Sequence, residues 1–240
     1  MPEGFVGVPA TGRTFTASRR VRLADMDHTG RVRLDSIARF LQDTAIEDVQ
    51  ETGWGLPDHL WFIRRIRLAV TAPFVGDRTI ELTTWCSGLA AIAAGRRWSL
   101  GGDAGGRLEV DSVWIHLGAD ARPARLEQFG VYADAAQGRH VSTKLDLPAV
   151  PDSAGRHAWP LRSTDIDLHG HVNNAVYWQA VEHRLALAGS DLHRPVDARL
   201  DYGDPLSLDD RVELAQWADG DGISLAFLVD GRTTAYATVR

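Results

Sequence analysis

Apolar and polar positions change period along this 240-residue chain, and each change marks an expected element. Ile37, Phe40, Leu41, Ala45 and Val49 fall at helical spacing and make one apolar face. A helix is expected there. It starts near Asp35 or Ser36, either of which can cap it, and ends at Gly53 and Gly55. Val176, Tyr177, Ala180, Val181 and Leu185 predict the buried face of a second helix, starting near Asn173 or Asn174 and ending at Ala188-Gly189. Residues 79–85 and 211–217 alternate with period two and predict strands, and 96–100, 108–117 and 223–229 are further candidates. The glycine-rich stretch from Gly101 to Gly106 reads as a hairpin loop. One long helix followed by an antiparallel sheet, twice over, is an α+β pattern.

The two patterns are copies. Arg22-Leu23-Ala24-Asp25-Met26-Asp27-His28-Thr29-Gly30-Arg31-Val32 recurs 140 residues later as Arg162-Ser163-Thr164-Asp165-Ile166-Asp167-Leu168-His169-Gly170-His171-Val172. Arg67-Leu68, Pro73, Asp77, Glu81-Leu82 and Trp85 recur at an offset of 132, as Arg199-Leu200, Pro205, Asp209, Glu213-Leu214 and Trp217. Gly106-Arg107 recurs as Gly231-Arg232, so the loops of the second copy are shorter. A stretch at 133–160, rich in Ala, Asp, Pro and Gly, separates the halves and reads as an ordered crossing linker. The expected organisation is 1–140, a linker at 141–160, and 161–240. Only the second copy continues into His171-Val172-Asn173-Asn174, so it is the half expected to carry chemistry.

Composition narrows the class. The chain is 44% hydrophobic and 24% charged, ordinary for a globular protein. Its formal net charge of -6 argues against nucleic acid as a partner. The single cysteine, Cys86, excludes an intrachain disulfide and fits a cytoplasmic setting; a buried thiol is expected. Residues 1–20 lack the apolar core of a signal peptide, and no apolar run approaches the ~20 residues of a membrane span. The nine histidines show no Cys/His ligand spacing, so no metal is expected, and no Gly-Lys-Ser/Thr follows the glycine-rich stretch to make a phosphate loop.

The chain resembles the acyl-acyl carrier protein (ACP) thioesterases of plants and bacteria over nearly its whole length. The likeness rests on Phe40-Leu41-Gln42-Asp43-Thr44-Ala45, the stretch from Trp61 to Arg67, Gly76-Asp77 through Trp85, Ser112-Val113-Trp114-Ile115, and the segment from Asp165 to Asn174. The resemblance implies two tandem hotdog domains, each a long helix wrapped by a curved antiparallel sheet. It also implies hydrolysis of fatty acyl-ACP without a cofactor, with much of the acyl pocket built by the first half.

Thioester hydrolysis needs a group that orients or deprotonates water, a site for the developing oxyanion, and room for the leaving thiolate. Asp167 is the candidate for the water, and N–H groups at the start of the second helix are candidates for the oxyanion. His171 can hydrogen-bond water or thioester, and Gly170 allows a tight turn and close backbone approach. Asp167 and His171 match catalytic positions of the resembling family. His169 stands where that family usually has Asn and is the third candidate. Gly170, Val172, Asn173 and Asn174 are the expected substrate-contacting positions, the asparagines also as cap and turn residues. The family Glu falls on Pro205, leaving Asp204 as a weak candidate one residue away. In the first copy Arg31 replaces His171, so no second active site is expected around Asp25, Asp27 and His28. Arg64-Arg65, Arg67 and Arg96-Arg97 are candidate contacts for an acidic ACP, against the alternative of a solvated strand face. An acyl-CoA or aryl-CoA thioesterase is the second enzyme reading, and a non-catalytic acyl-thioester binder the third. Monomer and homodimer are both compatible with fused halves.

Overall fold

The computed structural model describes residues 3–52, 60–118, 120, 122–125 and 130–240. The first half contributes β1 (Thr14–Arg20), α1 (Leu34–Thr52), β2 (Leu60–Ala72), β3 (Thr79–Ala90), β4 (Ala93–Gly102) and β5 (Arg107–Leu117). A short helix α2 (Ala133–Ala136) follows. The second half contributes β6 (Gly155–Trp159), α3 (Asn174–Leu187), β7 (Val196–Tyr202), β8 (Val212–Asp219), β9 (Gly222–Val229) and β10 (Arg232–Val239).

The strands form one ten-stranded antiparallel sheet in the order β1-β3-β4-β5-β2-β7-β10-β9-β8-β6. Read inward from either edge, the order of elements is the same. The halves therefore join edge to edge through β2 and β7. At that seam Arg67 lies opposite Arg199, its own counterpart in the repeat. A residue faces its own copy only on a twofold axis, so a pseudo-twofold passes between these two arginines. The chain is a double hotdog.

One face of the sheet holds the helices. Leu68, Ile80, Leu82, Trp98, Leu100 and Val110 of the first half share one buried cluster with Leu200, Leu214, Leu225 and Phe227 of the second. Ile37, Phe40 and Leu41 of α1 and Tyr177, Trp178, Val181 and Leu185 of α3 fill it from the helix side. Fully burying one such side chain stabilises by roughly 1.5–3 kcal/mol before the conformational entropy of ordering is set against it.

Much of the other face is a ladder of ion pairs. Arg65 meets Asp201 at 2.7 Å, Arg67 meets Asp197 at 2.5 Å, and Arg97 meets Glu109 at 2.7 Å. Arg64 donates to the carbonyls of Thr143, Tyr202 and Gly203. Arg96, pointing to the helix side, meets Asp48 of α1 at 2.7 Å. Both basic clusters are thus paired within the chain. Strand alternation sends neighbouring arginines to opposite faces, and each face supplies its own acceptor.

Both helices form where expected. α1 begins at Leu34, a residue early, and α3 begins at Asn174 behind the Asn173 cap, whose side chain accepts the Ala175 N–H at 2.9 Å. Gly53 and Gly55, read as the end of α1, lie outside the described residues. The 133–160 stretch carries more regular structure than its composition predicts, since it holds α2 and the edge strand β6. Between those two, Arg139 and Val141 bond Leu89, while Arg64 and Arg65 bond the carbonyls of Thr143 and Lys144. Strands β1, β2, β6, β7 and β10 were not anticipated from periodicity. β1 and β6 are polar edge strands, and β10 carries small residues (Thr234, Ala235, Ala237) that give little alternation.

Candidate active site

The duplicated segment folds into the same loop twice. Each copy opens on a one-turn 3-10 helix, Leu23–Asp25 in the first and Ser163–Asp165 in the second. Asp27 N–H donates to the Arg31 carbonyl at 2.8 Å, and Asp167 N–H to the His171 carbonyl at 2.8 Å. Gly30 and Gly170 donate back to the Asp27 and Asp167 carbonyls, with φ of 85° and 78°. That left-handed conformation is why both copies keep glycine. Oδ1 of Asp27 accepts the Thr29 N–H, and Oδ1 of Asp167 accepts the His169 N–H, each at 2.8 Å. The same oxygen reaches the N–H of Arg31 at 3.1 Å and of His171 at 3.5 Å. Retention of Asp in both copies therefore has a local cause, because its first oxygen ties the turn together.

The second oxygen distinguishes the copies. Oδ2 of Asp27 pairs with the buried Arg31 at 3.0 Å. Burial raises the Asp27 pKa, but the Thr29 and Arg31 hydrogen bonds and the Arg31 charge outweigh it and hold the carboxyl below its ordinary range. Oδ2 of Asp167 has no hydrogen-bond partner among the described residues. It is half-buried at the mouth of the loop, beside a half-buried His171 whose ring is likewise unpartnered among the described residues, and an exposed His169. Val172 is buried, and its N–H donates to the Leu206 carbonyl at 2.8 Å, locking the loop to the chain after β7.

The two helix starts also differ. In the first copy, Glu182 reaches across from α3. One of its oxygens takes the Arg31 guanidinium at 2.5 Å and the other takes the Leu34 N–H, at the start of α1, at 2.8 Å. Burial pushes the Glu182 carboxyl up, against the lowering effect of Arg31. In the second copy, the residue equivalent to Leu34 is Asn174. Its N–H has no acceptor among the described residues. An open helix-start N–H at the end of an Asp/His loop can receive an oxyanion. Glu182 escaped the sequence reading, although the 140-residue offset pairs it with Gln42 in α1.

An open cleft of about 520 Å³ lies along the first loop, lined among others by Asp27, Thr29, Gln179, Glu182 and His193. His193 Nε2 lies 2.8 Å from the Thr29 hydroxyl. The 140-residue offset pairs Gln179, Glu182 and His183 of this cleft with Arg39, Gln42 and Asp43 of α1. Asp204 is not gathered in with these groups. It is exposed just past β7 and pairs with Arg232 at 2.6 Å. The Cys86 thiol is buried, and burial pushes its pKa up, so it is not an activated nucleophile.

Comparison with known proteins agrees with the geometry. Residues 12–128 match the acyl-ACP thioesterase N-terminal domain and residues 150–235 the acyl-ACP thioesterase C-terminal domain. An uncharacterized protein of Mycobacterium tuberculosis is 27% identical over 97% of this chain and 94% of its own length. The chloroplastic oleoyl-acyl carrier protein thioesterase 2 of Arabidopsis thaliana is 24% identical over 75% of this chain and 56% of its own length. In fold, the chain superposes on a putative oleoyl thioesterase from Lactobacillus plantarum with a TM-score of 0.78, 17% identity, and 97% of both chains covered. It superposes on the 12:0-ACP thioesterase from Umbellularia californica with a TM-score of 0.77, 16% identity, and 95% and 96% covered. With both halves matched in order and the Asp/His loop at the head of the second central helix, this chain belongs to the acyl-ACP thioesterase family of thioester hydrolases.

Proposed function

We propose that the chain hydrolyses fatty acyl-ACP to free fatty acid and holo-ACP, with Asp167 and His171 as the working pair. The observation that carries this reading is the contrast between the two loops. They share every backbone bond of the turn, yet only the second leaves a carboxylate oxygen, an imidazole and a helix-start N–H without protein partners among the described residues. Oδ2 of Asp167 orients water and takes its proton as the water oxygen attacks the thioester carbon. The carbonyl oxygen becomes negative and binds the Asn174 N–H. The C–S bond then breaks, and the leaving thiolate of phosphopantetheine takes a proton delivered by His171. His169, exposed at the rim, contacts the pantetheine arm. Gly170, Val172 and Asn173 shape the turn that holds these groups. The first half supplies most of the acyl pocket.

This role fits fatty acid release in cytoplasmic lipid metabolism, with ACP as the carrier and no cofactor. The proline at the family Glu position and the engagement of Asp204 by Arg232 favour, as the second reading, a protein that binds acyl thioesters without turning them over. Steady-state hydrolysis of matched acyl-ACP and acyl-CoA series separates the readings. Asp167→Asn keeps an oxygen for the turn and removes the base, so kcat should fall by about 10²–10⁴-fold. Hydrolysis unchanged in that variant would remove Asp167 from the mechanism. A CoA preference would move the substrate class, and binding without turnover would make the chain a binder.

A further inference from the structure

The repeat supplies a residue for the reaction from the other half of the molecule. Glu182 and Gln42 occupy the same position in α3 and α1, 140 residues apart, the offset that also relates Asp27 to Asp167, Arg31 to His171 and Leu34 to Asn174. The pseudo-twofold that places Arg67 opposite Arg199 exchanges the two helices. Glu182 of the second half lies on the loop of the first, and the repeat gives Gln42 of the first half the corresponding position toward the loop of the second. Where Glu182 sits, one of its carboxylate oxygens occupies the helix-start N–H of Leu34 at 2.8 Å. That oxygen marks where an anionic oxygen binds at such a helix start. In the second half both members of the equivalent pair are open: the Asn174 N–H and the half-buried Gln42 amide each have no hydrogen-bond partner among the described residues.

We propose that Gln42 donates its amide N–H to the thioester oxygen, beside the Asn174 N–H, and so completes a two-donor oxyanion site across the two halves. The inference rests on the thioesterase reading. The change from carboxylate to amide between the copies has a physical sense. A carboxylate accepts only and would occupy the Asn174 N–H and repel a developing oxyanion, whereas a carboxamide of the same length donates. Glu182 closes the first copy to a thioester by the same chemistry, and Arg31 fixes it there. A single half lacks the second donor, which gives the fused pair a catalytic reason to stay together.

The test is kinetics of Gln42→Leu and Gln42→Glu with acyl-ACP, beside the wild-type chain and with thermal midpoints recorded. Removing one oxyanion donor costs about 10²–10³-fold in kcat. The expected result for Gln42→Leu is such a fall with KM changed less than threefold and the thermal midpoint held. Gln42→Glu should lose at least as much. Its residual activity should follow a pH–rate profile displaced upward, since an added negative charge in the site opposes the loss of a proton there. A side chain that only packs would displace neither. Wild-type turnover with kcat and pH profile unchanged in both variants overturns the Gln42 assignment and leaves the thioesterase reading standing. No wild-type turnover of ACP or CoA thioesters overturns both.

Discussion

At the scale of single residues, the duplicated loop shows which groups serve the turn and which are left for chemistry. Asp27 and Asp167 make the same first-oxygen bonds, so that part of the aspartate is structural in both copies. Arg31 and Glu182 are the counterweight in the first copy. Arg31 is 6% and Glu182 8% exposed; Glu182 has Arg31 as its ion-pair partner, and Arg31 shares its charge between Glu182 and Asp27. Glu182→Leu should therefore destabilise the protein by about 3 kcal/mol, measured by urea unfolding. Adding Arg31→Leu should recover most of that loss. A double-mutant cycle with no coupling would mean that Asp27 alone suffices for Arg31. Arg31 was legible as a substitution, Arg for His. Its partner Glu182 was not, because the two stand 151 positions apart.

At the scale of elements, the helices were the most legible part and the edge strands the least. The α3 face of Val176, Tyr177, Ala180, Val181 and Leu185 is buried throughout, since a helix against a sheet must hide one stripe. Asn173 is the cap that starts this helix and holds Asn174 at its first position. Asn173→Ala should cost about 1 kcal/mol of stability. It should also lower kcat/KM, because fraying of the first turn displaces the Asn174 N–H from the loop. A full loss of stability with unchanged kcat/KM would detach the cap from the site. β1 and β6 escaped notice because an edge strand needs only one covered face, and theirs is largely polar.

At the scale of the molecule, the two halves are held at the β2–β7 seam, in the shared core, and between the helices. Asp35, fully buried at the start of α1, receives Arg33 and Arg39 from its own half and Gln179 from α3 at 2.9 Å. Burial pushes its pKa up, but these hydrogen bonds outweigh burial and hold the carboxyl below its ordinary value. A depressed carboxylate contributes stability that is present above the unfolded value and lost as pH falls through the folded one. Asp35→Asn should therefore lower the thermal midpoint clearly at pH 7. The gap from wild type should narrow below about pH 4, where the unfolded carboxyl protonates. A gap independent of pH would mean that shape, not charge, holds Asp35. No helix among the described residues is long and apolar enough to cross a membrane.

The sequence by itself determined the duplication, the two helices with their buried stripes, the Asp-Gly turns and the family. Each of these depends on spacing between near neighbours or on motif order, and both are written linearly along the chain. Tertiary structure alone decided the rest. Joining the halves through β2 and β7 brings Asp201 to Arg65 and Asp197 to Arg67, partners that the clustering of arginines did not reveal. The same joining sets Glu182 against Leu34, and the folding of the second half sets Arg232 against Asp204. Such contacts link positions tens to more than a hundred residues apart, and no local periodicity records them; a twofold axis does, once the sheet has formed around it.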